Sequence, residues 1–311
     1  MKRIVFVWCL LLFSFAAPVR AARSGQVAAL NIVATLPWIG SVARDIGKDK
    51  VEVKVLVRPS LDPHFIQPKP SMLLAVRRAD ILIYNGLGLE AGYLPVLVEA
   101  SRNRLVATGR PGNIDASKFV EVIGFDDKAD RSMGDVHPGG NPHYHFSPSN
   151  ILRVAEGLTA AFALADPVNA GFFRDNLELF RARITEKRRE WEGFGLEGKN
   201  FIAFHKLFEY LARDFGFEIT GYIEPRPGVP PSSAYIQGLV EAMKVSRPAA
   251  ILTASYYGPR QVQWLARETG IGVVEVPHDV GAGLGGAGED WFGFMDRVIR
   301  AIRSLSLLVG Q

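Results

Sequence analysis

Strand-like hydrophobic runs alternate with helical stretches in this chain, and the same alternation is found in both of its halves. The strand-like runs are residues 30–34, 51–57, 81–84, 201–204, 249–252 and 273–276. The helical stretches between them include residues 39–46, 71–78, 237–245 and 261–269. Strand and helix in alternation indicate parallel sheets covered by helices, so the chain is predicted to be an α/β protein.

The two halves are separated by a stretch without internal proline, from about residue 168 to residue 194. Its apolar residues recur at the spacing of one amphipathic helix and are Phe173, Leu177, Phe180, Ile184 and Trp191. Such a helix would run about 40 Å, comparable to a whole domain. We predict two lobes, residues 22–166 and 198–311, each with a parallel sheet flanked by helices and joined by one long rigid helix over 167–197. The alternative is two helices broken near Gly171 or Thr185.

The chain begins with features of a secretory signal. Lys2 and Arg3 precede an apolar run over residues 4–17, and small residues follow at a spacing that a signal peptidase reads. We therefore predict a signal peptide over residues 1–21 and a periplasmic location. The apolar run is too short to span a membrane. A retained anchor or a lipidated Cys9 is the alternative, but Cys9 lies inside the apolar run, so no lipid anchor is expected.

Charge and cysteine content narrow the kinds of partner and site. The full chain has four more basic than acidic residues. Removal of residues 1–21 takes away three basic residues and no acidic ones, so the exported chain is nearly neutral. No basic stripe interleaved with aromatic residues remains, and no nucleic-acid partner is expected. Cys9 is the only cysteine, so after export the chain has neither disulfides nor thiolates. Any metal site must then use nitrogen and oxygen ligands.

Four potential metal ligands follow predicted strands or stand in loops, two in each lobe. His64 lies past the second strand, and His143 lies just before a predicted helix start at Ser147. His205 directly follows the strand at 201–204, and Asp279 follows the strand at 273–276. A lone histidine is more often structural, but four such positions divided between two lobes point to a site at the mouth between the sheets. Three imidazoles and a carboxylate suit Zn²⁺ first and Mn²⁺ second.

Three segments resemble those of a known family. They are Asp62-Pro63-His64, the turn Pro68-Lys69-Pro70-Ser71 and, most specifically, the stretch ADILIYNGLGLE over residues 79–90. With these segments the chain resembles the zinc- and manganese-binding solute receptors of bacterial ABC importers. The resemblance covers essentially the whole exported chain.

The resemblance implies a function and a ligand set. It implies a receptor, not an enzyme, that captures a divalent cation and delivers it to an ABC permease and its ATPase subunit. The implied metal ligands are His64 and His143 from the first lobe and His205 and Asp279 from the second. Manganese-binding members often have glutamate where His205 stands, so this histidine favours zinc as the transported ion. We expect a monomer.

The chain departs from the family pattern at three places. In the segment over residues 141–145 either His143 or His145 could face the metal, and we favour His143. His278 could replace or supplement its neighbour Asp279. Many zinc-binding members carry a long histidine-rich acidic loop where this chain has only the segment DDKAD over residues 126–130, then Asp135 and His137. A solvated loop is expected there, with weak metal collection as the alternative.

Two other functions use similar residues. A zinc hydrolase would leave one metal position open for water and place a general base nearby, and Glu209 follows His205 by four residues. The chain has no H-E-x-x-H motif, and Glu209 is expected to be a supporting group instead. A surface adhesin on the same scaffold is the other alternative.

Overall fold

The computed structural model describes residues 29–125, 137–226, 228–283 and 288–306. The predicted signal peptide over residues 1–21 lies outside this part of the chain, as do residues 126–130 and Asp135. Two parallel sheets of four strands each, both flanked by helices, form the described part. The predicted α/β architecture is confirmed. No helix in the described part of the chain is long and apolar enough to span a membrane.

The first sheet has the strand order β2-β1-β3-β4. All its pairs are parallel, with β1 beside both β2 and β3. The elements of this lobe are β1 Leu30–Ala34, α1 Pro37–Gly47, β2 Val51–Val55, α2 Pro70–Arg78, β3 Ile81–Tyr84, α3 Leu94–Ser101, β4 Asn113–Asp115 and α4 Pro148–Ala165. In this sheet β2 lies on one side of β1, and β3 and β4 follow on the other side, so the strand order reverses at β1. Open α/β sheets form sites at the carboxyl ends of strands beside such a switch point.

One continuous helix, α5 Ala170–Glu192, links the two lobes. Its 23 residues span about 34 Å. A short 3-10 helix, Pro167–Asn169, precedes it. Gly171 lies in its first turn, and the Thr185 hydroxyl donates to the carbonyl of Arg181 without interrupting the helix. The alternative of two broken helices is therefore wrong.

The second sheet repeats the strand order of the first, here β6-β5-β7-β8, with parallel pairing throughout. The elements of this lobe are β5 Asn200–Ala203, α6 Glu209–Phe215, β6 Glu218–Tyr222, α7 Ser233–Ser246, β7 Ile251–Ala254, α8 Pro259–Thr269, β8 Val273–Val276 and α9 Trp291–Ser306. The carboxyl ends of β5 and β8 carry His205 and Asp279 into the region that faces the first lobe.

The larger of two hydrophobic clusters in the described residues runs through both lobes, and the smaller one lies within the second lobe. Trp38 of the first lobe, Trp191 of the linking helix and Trp291 of the second lobe are all fully buried members of the larger cluster. Trp291 also donates its backbone N–H to the hydroxyl of Ser41, at 2.8 Å. Because interiors are close-packed, a shared core resists separation of the lobes and permits only small relative movements.

Candidate metal site

Three histidines from three different loops converge where the lobes meet. His64 lies in a 3-10 turn after β2, His143 immediately precedes the turn Tyr144–Phe146, and His205 follows β5. One ring nitrogen of each lies within 4.8 Å of the other two. Their ring centroids are 5.3, 5.3 and 5.8 Å apart. Imidazoles bound to one tetrahedral Zn²⁺, with Zn–N bonds of about 2.0–2.1 Å, have centroids about 5 Å apart, so the three rings are spaced to share an ion.

Asp62 orients the ring of His64. Its Oδ1 accepts the backbone N–H of His64 at 3.0 Å and lies 2.7 Å from the ring Nδ1. Burial opposes ionisation of Asp62, but its hydrogen bonds and electrostatic interaction with His64 outweigh this effect and lower the pKa of the carboxyl. A carboxylate at Nδ1 fixes the proton there and leaves the Nε2 lone pair for a ligand. Within the described parts of the chain, no hydrogen-bond partner reaches the buried Nε2 of His64.

A second carboxylate lies near His205 but does not hydrogen-bond to it. The Nδ1 of His205 lies 3.5 Å from an oxygen of Glu224, which follows β6, and has no hydrogen-bond partner among the described residues. Glu209, the general base in the hydrolase alternative, forms hydrogen bonds with other side chains. It accepts from the Tyr222 hydroxyl at 2.7 Å and from the Asn141 amide at 3.1 Å. Burial raises the pKa of Glu209. Glu209 thus connects the loop before His143 to the second lobe, as a supporting group.

His143 joins the group of converging nitrogens, and His145 does not. Burial, and then the charges of neighbouring histidines, hold the pKa of His143 well below its usual value. The ring of His145 instead stacks on Trp38, and its Nε2 lies 2.9 Å from the carbonyl oxygen of His278. A carbonyl can only accept, so His145 donates there and ties the first lobe to the second.

Asp279 is buried near the site but lies outside the group of three converging ligands. Its Oδ1 accepts the backbone N–H of Trp38, at the beginning of α1, at 2.9 Å and its neighbour Val280 N–H at 2.7 Å. Burial raises the pKa of Asp279 well above its usual value, although a nearby cation would oppose that effect. His278 is also outside the group, and its Nδ1 lies 3.0 Å from the Ser255 hydroxyl. Ligation by Asp279 stays a prediction.

His137 lies close to His64. A solvated loop was expected there, with weak metal collection as the alternative, but His137 is half-buried, with its ring centroid 5.3 Å from that of His64. Its Nδ1 lies 3.1 Å from the carbonyl oxygen of Leu87. The only sequence signal was that His137 precedes His143 by six residues in a segment with acidic neighbours.

Comparison with known proteins identifies the family. The family model described as zinc-uptake complex component A, periplasmic (ZnuA), matches residues 32–305. The chain belongs to this family. Members of the ZnuA family are substrate-binding receptors of metal ABC transporters and not enzymes, so the zinc-hydrolase alternative is wrong.

Relatives of this chain are named after different metals. The manganese ABC transporter substrate-binding lipoprotein PsaA of Streptococcus mitis is 23% identical over 300 residues, which cover 94% of this chain and 93% of that protein. The iron ABC transporter substrate-binding lipoprotein MtsA of Streptococcus pyogenes serotype M1 is 22% identical over 271 residues, 86% of this chain and 85% of that protein.

Solved structures show the same fold. A crystal structure of ZnuA superimposes with a TM-score of 0.72 at 25% identity and covers 89% of this chain and 99% of that one. The cadmium-bound periplasmic metal-binding protein of Candidatus Liberibacter asiaticus gives 0.73 at 21% identity, with the same coverage of 89% and 99%. The ZnuA family membership therefore establishes an extracytoplasmic receptor for a divalent metal, without distinguishing among metals.

Proposed function

We propose that this protein captures Zn²⁺ between its lobes with His64, His143, His205 and Asp279 and delivers it to an ABC permease driven by an ATPase subunit. The observation that carries the proposal is the convergence of three imidazole nitrogens from three loops within 4.8 Å. Packing of a hydrophobic interior does not require such a cluster. Without a bound ion it is unfavourable, because each buried polar nitrogen that lacks a partner costs free energy. A divalent cation supplies the missing interaction.

The ligand chemistry favours zinc over manganese. Imidazole nitrogen suits Zn²⁺, whereas Mn²⁺ prefers carboxylate, carbonyl and water oxygens. Three of the four proposed ligands are imidazoles. The Asp62 carboxylate lies 2.7 Å from the ring Nδ1 of His64, which raises the basicity of that imidazole and so strengthens binding of the cation.

Release requires the second lobe to draw His205 and Asp279 away from His64 and His143. The shared core and the helix α5 limit this movement to a small tilt. Relatives of this chain are named as lipoproteins, which gives no support to our expectation that a lipid anchor is absent. We propose a monomeric receptor that acts outside the cytoplasm.

Metal content of the purified protein tests the proposal. We expect about one Zn²⁺ per chain, with a large loss of affinity in His64→Ala and in His205→Ala because each removes one of three convergent ligands. Gln67→Ala is the matched control, since this exposed residue lies three positions after His64 and offers no imidazole. Equal zinc affinity in all four proteins would overturn the proposed site, and tighter binding of Mn²⁺ than of Zn²⁺ would overturn the metal assignment.

A further inference from the structure

Three consecutive residues with positive φ shape the loop after β3. Gly86 has φ 82°, Leu87 has φ 53° and Gly88 has φ 81°. Glycine adopts this region readily, but a leucine there is strained, and strained backbone often accompanies a functional constraint. The Glu90 carboxylate holds the loop by accepting the backbone N–H groups of Asn85 and Gly86 at 2.7 and 3.1 Å. This conformation directs the Leu87 carbonyl towards His137.

The Leu87 carbonyl defines the state of the His137 ring. Its oxygen lies 3.1 Å from Nδ1 and can only accept a hydrogen bond, so Nδ1 carries the proton. In the neutral ring the lone pair is then on Nε2. Metal-binding histidines commonly donate one ring N–H to a carbonyl or carboxylate in this way, which orients the other nitrogen for the metal. His64 has the same arrangement with Asp62.

His137 completes a set of three histidines that all belong to the first lobe. Its ring centroid is 5.3 Å from that of His64 and 6.4 Å from that of His143, while the centroids of His64 and His143 are 5.3 Å apart. Two of the three distances match the separation of about 5 Å expected on one tetrahedral Zn²⁺. His137 lies outside the group whose ligand nitrogens are all within 4.8 Å of one another. It would have to move towards His143 by about 1 Å to bring the third distance to the value for a shared ion.

We propose that His137, His64 and His143 form a capture site on the first lobe for a nitrogen-preferring divalent cation such as Zn²⁺. The site deepens the proposed function and rests on it. It can hold the ion while the second-lobe ligands His205 and Asp279 are withdrawn, both during capture and during release. His137 is a better candidate for this step than Asp279, because it is less buried and belongs to the same lobe as the other two ligands.

The Zn²⁺ affinity that remains without the second-lobe ligands tests the capture site. In the full-length His205→Ala/Asp279→Asn variant we expect Zn²⁺ to bind at an affinity at least about 100-fold below wild type. Adding His137→Ala should lower that affinity by roughly a further tenfold. Pro138→Ala in the same background is the matched control, because this exposed neighbour changes the loop without removing an imidazole. Zn²⁺ affinity is measured by competition with a chromophoric chelator, and circular dichroism verifies folding.

The outcomes separate this proposal from the proposed function. Undiminished binding in the His205→Ala/Asp279→Asn variant would overturn the proposed function itself. Reduced binding that does not change when His137→Ala is added, or no detectable binding without the second-lobe ligands, would overturn the capture site alone. Stopped-flow capture of Co²⁺ by the single His137→Ala variant gives an independent reading. Slower capture than in wild type supports the site, and an unchanged rate contradicts it.

Discussion

Asp279 in the second lobe accepts a hydrogen bond from the backbone N–H of Trp38 in the first lobe, at 2.9 Å, across 241 positions of sequence. Trp38 lies in the first turn of α1, where backbone N–H groups have no partner within the helix. The carboxylate therefore caps a helix of the opposite lobe. The same carboxylate is the proposed oxygen ligand of the metal, so lobe contact and metal binding share one side chain.

Substitution of Asp279 should separate these two roles. Asp279→Ala removes the cap and should lower the free energy of unfolding of the metal-free protein by about 1–2 kcal/mol. Asp279→Asn keeps an acceptor oxygen and removes a buried carboxylate whose pKa is raised by burial, so we expect it to be at least as stable as wild type without metal. Both variants should bind Zn²⁺ more weakly. Urea denaturation and chelator competition measure the two effects, and unaltered zinc affinity in both variants would contradict ligation by Asp279.

Removal of the Asp62 carboxylate should weaken zinc binding although Asp62 does not belong to the converging group. Asp62→Asn can still accept the His64 hydrogen bonds but carries no charge, so it should reduce the basicity of the ring. We expect a loss of Zn²⁺ affinity of about 10-fold to 100-fold. Asp49→Asn is the control, since Asp49 is exposed and pairs only with Lys50 among the ion pairs of the described residues. Equal affinity in the two variants would show that Asp62 does not tune His64.

Zinc affinity should fall in acid, because protons compete for imidazole ligands. Ordinary imidazoles begin to protonate near pH 6.5, so we expect affinity to decline below about that value. Burial holds the pKa of His143 well below its usual value, so protons compete at this ligand only at lower pH. Chelator competition between neutral and distinctly acidic pH provides the measurement. An affinity independent of pH over this range would argue against histidine ligation.

Three kinds of signal in the sequence predicted the converging histidines: the ends of strand-like runs, the helix start after His143 and the resemblance to a known family. Parallel strands bring their carboxyl ends to one edge, so His205 could be placed from the run that precedes it. Two edge strands, β4 and β6, were not predicted. In β4 only Ile114 of three residues is buried, and in β6, which contains Gly221, none of the five residues is fully buried. Neither segment has the apolar run by which the other strands were recognised.

The position of His137 and the cap at Trp38 depend on tertiary geometry instead. His137 meets His64 because the backbone at Leu87, far from it in sequence, adopts a positive φ. Asp279 reaches Trp38 because the shared core brings the two lobes together. Neither contact leaves a local pattern of hydrophobicity or charge, so each could be found only from the arrangement of the folded chain.

Glu90 gives the sharpest test of how the first lobe supports its ligands. Its buried carboxylate accepts hydrogen bonds from the Thr35 hydroxyl at 2.7 Å and from Asn85 and Gly86 N–H groups. Burial raises its pKa to about 7. Glu90→Gln places an NH₂ group against one of these donors, and the lost hydrogen bond should destabilise the protein by about 1–3 kcal/mol at pH 8.

The pH dependence of Glu90→Gln has a definite sign. A carboxyl whose pKa rises from 4.5 to about 7 on folding contributes stability that is present below pH 4.5 and is lost as pH increases through about 7. The glutamine cannot titrate, so the stability difference between wild type and Glu90→Gln should shrink as pH increases from 4.5 to 7. Urea denaturation of the two metal-free proteins across this range measures it. A difference that stays constant would mean that Glu90 has an ordinary pKa and is ionised over most of this range.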